Sequence, residues 1–213
     1  QTRRSASYPS WVYDAVAANA TQAQVVMEGK GGIENAKVSS PFPIPKSGVE
    51  VIWNHNLRWR GVRVSRAEGE TAVTRSGRYT LIQSVQELGF PYASKQETAF
   101  TRRYPNVLIA IKEKIFAPAL LSGNGGVVIE TIDQTDDPRK AWSYSQSLRR
   151  VRRNPYVAYD FPADGSDSLR TVDDSAMFIG PPDRFEWKLH GKQEIYIAYN
   201  AYRLHDGNIG PKD

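Results

Sequence analysis

The chain has 213 residues, 40% of them apolar and 11% aromatic, so it is long enough to bury a core and too apolar for general disorder. Its net charge of +5 fits nucleic acid, anionic lipid or a soluble protein with one basic face, and selects none of them. With no cysteine there are no disulfides, thiolate metal sites or cysteine nucleophiles, while the compartment stays open.

No apolar run approaches the roughly 18 residues of a membrane-spanning helix. The longest, residues 107–111, has strand length. The chain opens on QTRRSASYP without methionine and closes on HDGNIGPKD, which reads as a loop cut short. The expectation is a single domain over residues 1–213 that is part of a longer protein.

In chain order, Pro9 or Ser10 opens an alanine-rich helix over residues 11–20, with a strand as the alternative because Trp11, Val12 and Tyr13 also suit one. A short strand at residues 24–27 precedes a glycine- and proline-rich loop, residues 28–46. The next helix has both ends marked, by Ser47 with Glu50 as a capping box and by Gly61 after its last turn. Val49, Trp53 and Leu57, with Ile52 beside them, form one apolar stripe; Glu50, Asn54 and Arg58 face the other way.

From Val62 the period changes to two. A strand runs to Thr74 with an interruption near residues 67–69, residues 75–78 make a hairpin turn, and residues 79–88 return. A polar loop reaches Arg103, residues 107–117 form a long strand, with a helix as the weaker alternative because Ile and Val dominate, residues 122–126 turn, and residues 127–132 pair back. The stretch DPRKAWSYSQSLRRVRR, residues 137–153, is a further hairpin. Lys140, Trp142, Tyr144 and Gln146 share one side, residues 145–147 turn, and the returning strand carries Arg149, Arg150, Arg152 and Arg153 around Val151. Residues 171–178 read as a short helix with Thr171 and Asp174 as a weak cap. The last element alternates: Phe185, Trp187 and Leu189 share a side, and Ile195, Ile197 and Tyr199 resume after Gly191.

Seven or eight strands in adjacent hairpins with few helices give a mainly β fold with helices, α+β, as a curved antiparallel meander or incomplete barrel wrapped around one or more helices. The space between the Trp53 helix and the sheet is then either solid core or a ligand cavity. His55, His190 and His205 have no ligand spacing, no nucleophile elbow is present, and the glycine clusters at residues 29–32 and 123–126 read as turns; no metal, cofactor or catalytic group is expected. Asp173 and Asp174 sit where a helix dipole favours carboxylates anyway, which leaves an acid–base role as the minor reading. The arginine tract is either a solvated edge or a surface for an anionic headgroup or acidic partner; interspersed carboxylates argue against nucleic acid.

Three strings, PFPIPKSGVEVIWNHNLRWRG, AWSYSQSLRRVRRNPYVAYD and DDSAMFIGPPDRFEWKLHGKQEIYIAYNAYRL, together with the opening TRRSASYPSWVYDA, resemble a Gram-negative family of outer membrane lipoprotein-sorting proteins, domain of unknown function 1329. The likeness runs from end to end and implies the amino-terminal part of a longer mature domain, with an export signal before it and further strands after it. It also implies a fold like the periplasmic lipoprotein carriers, with an apolar cavity for acyl chains. Here residues 145–147, Ser-Gln-Ser, replace the family's usual Asn-Pro-Gly turn, a departure that concerns the turn type rather than the fold.

The resulting expectation is a non-enzymatic periplasmic carrier, with outer-membrane association as an option, for a lipid, a lipoprotein acyl chain or a sterol-like molecule. The resemblance implies service to an inner-membrane exporter or outer-membrane component. Val49, Ile52, Trp53, Leu57, Trp142, Tyr144, Phe178 and Trp187 are the candidate cavity lining, each of which taken singly reads equally well as ordinary core. Arg149, Arg150, Arg152 and Arg153 are the candidate headgroup or partner surface. The rival readings are a structural or adaptor subunit of an envelope complex and an enzyme acting on a lipid or glycan.

Overall fold

The computed structural model describes residues 7–198 and 201–210; Tyr199 and the side chain of His205, both singled out above, fall outside them. Helix α1 (Ser10–Gln22) starts after Pro9 and stops where Ala23 becomes extended. Asn19, buried on this helix, draws the following loop back: its Nδ2 donates to the Lys37 carbonyl at 2.9 Å and its Oδ1 accepts from the Lys37 N–H at 3.1 Å. Strand β1 (Gln24–Val25) lies within the strand expected at residues 24–27, and its partner β2 (Ile33–Glu34) falls in the stretch read as loop, so the two make a small antiparallel ribbon.

Helix α2 (Gly48–Leu57) is capped by the Ser47 hydroxyl, which accepts from the Glu50 N–H at 3.2 Å. It ends earlier than Gly61 implies: Arg58 is already extended, and Trp59 leaves the helix to meet Tyr8 and Trp11 edge-on. Trp53 and Leu57 are 2% and 1% exposed, whereas Val49 and Ile52 are half-buried. The polar side of α2 is used as well. Asn54 donates to the Phe42 carbonyl at 2.6 Å and accepts from the Phe42 N–H at 2.8 Å, clamping the proline-rich loop to the helix.

Six strands follow in an antiparallel meander, each paired with the next: β3 (Arg63–Val73), β4 (Tyr79–Gly89), β5 (Val107–Ala117), β6 (Gly125–Thr131), β7 (Lys140–Ser145) and β8 (Arg150–Arg153). The short helix α3 (Ala99–Arg103), capped by Thr98, lies between β4 and β5 where a polar loop is expected. The sheet is open: among the described residues β3 and β8 are its two edges. With β1 and β2 this makes eight strands and three α-helices among the described residues, a mainly β, α+β arrangement.

Three expectations are corrected. The strand after Val62 runs unbroken, because Ala67, Glu68 and Gly69 stay in register with Val85, Ser84 and Gln83. Residues 171–178 form only a single 3₁₀ turn at Ser175–Met177; Ala176 and Met177 have φ of +53° and +78°, which no α-helix accommodates. Residues 185–198 alternate in sequence but pair with no strand among the described residues. Alternation determines which side chains share a side, and a ladder needs a neighbour besides.

Alternation along the sheet separates two faces. Val64, Leu88, Ile111, Val128 and Ala141 stand in cross-strand register on one, where Trp53 and Leu57 join Leu88, Phe90, Leu108, Ile109 and Ile132 in the core. The segment after β8 returns over this same face: Arg170 pairs with Glu70 at 2.7 Å and Arg139 with Asp173 at 3.0 Å. The other face holds Lys112, Lys114, Val127, Trp142, Tyr144, Val151 and Arg153 in register.

Candidate functional site

The uncovered face forms a groove of about 710 Å³, open to solvent, over β5 to β8. Cross-strand pairing builds its floor: Val127 lies between Lys112 and Trp142, and Gly125 between Lys114 and Tyr144, with Val151 opposite Tyr144. Phe116, at the end of β5, adds a half-exposed ring. Gly125 lets β5 and β6 approach, since a Cβ there would stand 2.5 Å from the Glu113 carbonyl oxygen. The lack of a side chain at Gly125 also opens the floor between Lys114 and Tyr144.

The rim comes from two hairpin turns. Gly123 adopts φ +86° and packs against the Gln146 side chain, while the Gln146 N–H donates to Asn124 Oδ1 at 2.9 Å. The tips of the β5–β6 and β7–β8 hairpins are thereby joined. This cavity has the size of small-molecule sites, about 300–1,000 Å³, but is less enclosed than they usually are.

The twelve side chains expected at a cavity or headgroup surface fall into four places. Trp142 and Tyr144 line the groove. Trp53 and Leu57 lie on the other side of the sheet in close-packed core, with Val49 packed against them and Ile52 half-buried; Trp53 Nε1 donates to the Gly29 carbonyl at 3.2 Å. Phe178 and Trp187 pack with Phe185 in an aromatic trio, ring centroids 5.2–5.9 Å apart, on the returning segment. Arg149, Arg150, Arg152 and Arg153 are exposed on the last hairpin, Arg153 on the groove face opposite Trp142. The single cavity shared by the Trp53 helix and the Trp142 hairpin is thus replaced by a core and a groove on opposite faces.

Beneath the core face lies a charge cluster that sequence reading missed. Arg139, buried, meets Glu130 Oε1 through Nε at 2.5 Å and Asp173 Oδ1 through Nη2 at 3.0 Å, and Nη2 also donates to the Ile179 carbonyl at 2.7 Å. Burial pushes the Glu130 and Asp173 carboxyls up, against the opposing pull of the Arg139 guanidinium. Asp174 is engaged differently: its carboxylate accepts from the Thr171 N–H and hydroxyl, both at 2.8 Å, and these bonds hold its pKa down. His55 reaches the Ala176 carbonyl at 3.0 Å, and His190 is exposed.

A family model described as a protein of unknown function (DUF1329) matches residues 1–213. The chain belongs to this family. The uncharacterized protein PA3922 of Pseudomonas aeruginosa is 43% identical over 209 residues, which cover 98% of this chain and 45% of that protein. The chain therefore spans about half the length of the curated relative it matches. No solved structure matches it.

Proposed function

We propose that this DUF1329 chain belongs to a non-enzymatic carrier for a hydrophobic ligand, and that the ligand lies in the groove over β5 to β8. The observation that carries this reading is the aromatic floor of Trp142 and Tyr144, with Phe116, Val127 and Val151, left uncovered on a sheet whose other face is filled. The periplasmic setting, the partial-barrel wrapping and an envelope exporter as partner belong to the same proposal and rest on the resemblance to lipoprotein-sorting proteins. Binding is by burial. About 300 Å² of apolar surface yields about 7.5 kcal/mol at 25 cal/mol per Å². Association costs at least about 4 kcal/mol of that, so a bare hydrocarbon binds weakly and a polar head beside Lys114 or Arg153 decides affinity.

The test is titration of the protein with a fluorescent long-chain fatty acid, alongside native mass spectrometry of the protein from a Gram-negative envelope. Saturable one-to-one uptake that the double variant Trp142→Ala, Tyr144→Ala loses supports the carrier. No uptake and no co-purifying apolar species would move the assignment to an adaptor subunit.

A further inference from the structure

We infer that the end of the sheet formed by the β5–β6 and β7–β8 turns docks on an anionic bilayer surface. Each turn presents a leucine to water: Leu120 is 90% exposed and Leu148 is 64% exposed. A single exposed leucine is ordinary, but these two stand on tips joined through Gln146 and Asn124, so they advance on a surface together. Arg149 and Arg150 follow Leu148 immediately in sequence, and neither they nor Arg152 and Arg153 form an ion pair among the described residues. The β3–β4 turn, residues 74–78, points the same way but projects beyond the end of β5, because Gln83 already pairs with Ala117.

Apolar tips with guanidinium groups just behind them match the depth profile of a lipid interface, where leucine enters the acyl boundary and arginine stays at the phosphates. An acidic protein would use the same cations and have no need of the two leucines. The groove rim, Ser122 to Asn124 and Gln146, lies at this end, so docking brings the groove mouth to the bilayer. The docking inference stands without the ligand reading, because the tips and the groove floor are different residues.

Vesicle flotation tests it, using the protein with phosphatidylcholine vesicles and with vesicles that also contain phosphatidylglycerol. Flotation is expected only with the anionic vesicles and is expected to weaken with salt. Arg149→Ala with Arg150→Ala lowers partitioning by about twenty-five-fold, about fivefold for each arginine. Leu120→Glu with Leu148→Glu abolishes flotation while leaving the thermal melt and the uptake of fluorescent fatty acid unchanged. Absence of flotation with anionic vesicles overturns the inference and leaves the arginines to an acidic protein. Flotation that survives both leucine changes overturns insertion by the tips. Fatty-acid uptake without flotation would sink docking alone, and flotation without uptake would sink the carrier alone.

Discussion

Arg139 and Asp173 are 34 residues apart in sequence, yet Nη2 of the first donates to Oδ1 of the second at 3.0 Å. With Glu130 on the same guanidinium, this contact fastens the segment after β8 to the sheet. Removing the cation by Arg139→Met leaves two buried carboxylates facing each other and is expected to cost about 3–5 kcal/mol, read from urea unfolding. Replacing all three groups by apolar residues of similar size is expected to restore most of that stability. Equal loss in the single and triple variants would mean that packing, rather than charge, fastens the segment.

Gly48 occupies the first turn of α2, where alanine ordinarily gains up to about 1 kcal/mol over glycine. Here the sign reverses. A Cβ at Gly48 would stand 2.4 Å from the Trp187 carbonyl carbon, so Gly48→Ala is expected to lose about 1–3 kcal/mol. Limited proteolysis should cut residues 180–198 faster in the variant. A melting temperature at or above that of the parent would show that Trp187 does not rest on the helix.

His55 gives the fold a pH dependence of defined sign. Burial first, and then the Arg58 guanidinium, push its pKa below the usual 6.5, against the hydrogen bond to the Ala176 carbonyl, which raises it. That carbonyl can only accept, so Nε2 carries the proton of a neutral ring. The folded state therefore takes up a proton less readily than the unfolded chain. Stability from this group is complete above pH 6.5 and falls as the pH drops from there towards the folded value. Urea midpoints at about pH 7.5 and about pH 5.5 should differ more in the parent than in His55→Asn. Equal differences in the two proteins would remove His55 as the cause.

Trp53 and Trp142 should respond differently. Trp53→Ala empties a site in the close-packed core and is expected to cost about 3–5 kcal/mol, and Trp53→Glu should unfold the chain. Trp142→Ala, at a half-buried position on the groove floor, is expected to cost about 1–2 kcal/mol, less than Trp53→Ala, while weakening ligand uptake severalfold. Ligand loss in a folded Trp53→Glu protein would return the binding site to the helix side.

What sequence reading recovered was local. Ser47 and Glu50 mark the start of α2 because the cap is formed between residues three apart. The bounds of β5, residues 107–117, and the β3–β4 turn follow from alternation and turn chemistry within a short window. Trp142 and Tyr144 were paired correctly for the same reason, and both line the groove. The placing of Trp53 in the same cavity failed because a helix stripe and a strand alternation each give a side, with no information on which sides meet. The Arg139 cluster was hidden in DPRK, a string that looks like ordinary surface. Its available signal was Glu130, a carboxylate in phase with the core-facing Val128, where an unpaired charge would be untenable. Phe185, Trp187 and Leu189 show the reverse error: alternation was present without a strand partner, and Trp187 instead meets Gly48 closely and donates through Nε1 to the Pro182 carbonyl at 2.9 Å.

The separation of the sheet into a filled and an uncovered face has an evolutionary consequence. At the middle of the sheet the groove-face positions Lys112, Val127 and Val151 are exposed, so substitutions there are screened by selection mainly for what they contact and only weakly for their effect on folding. Such positions can therefore vary while the intervening ones hold the scaffold constant.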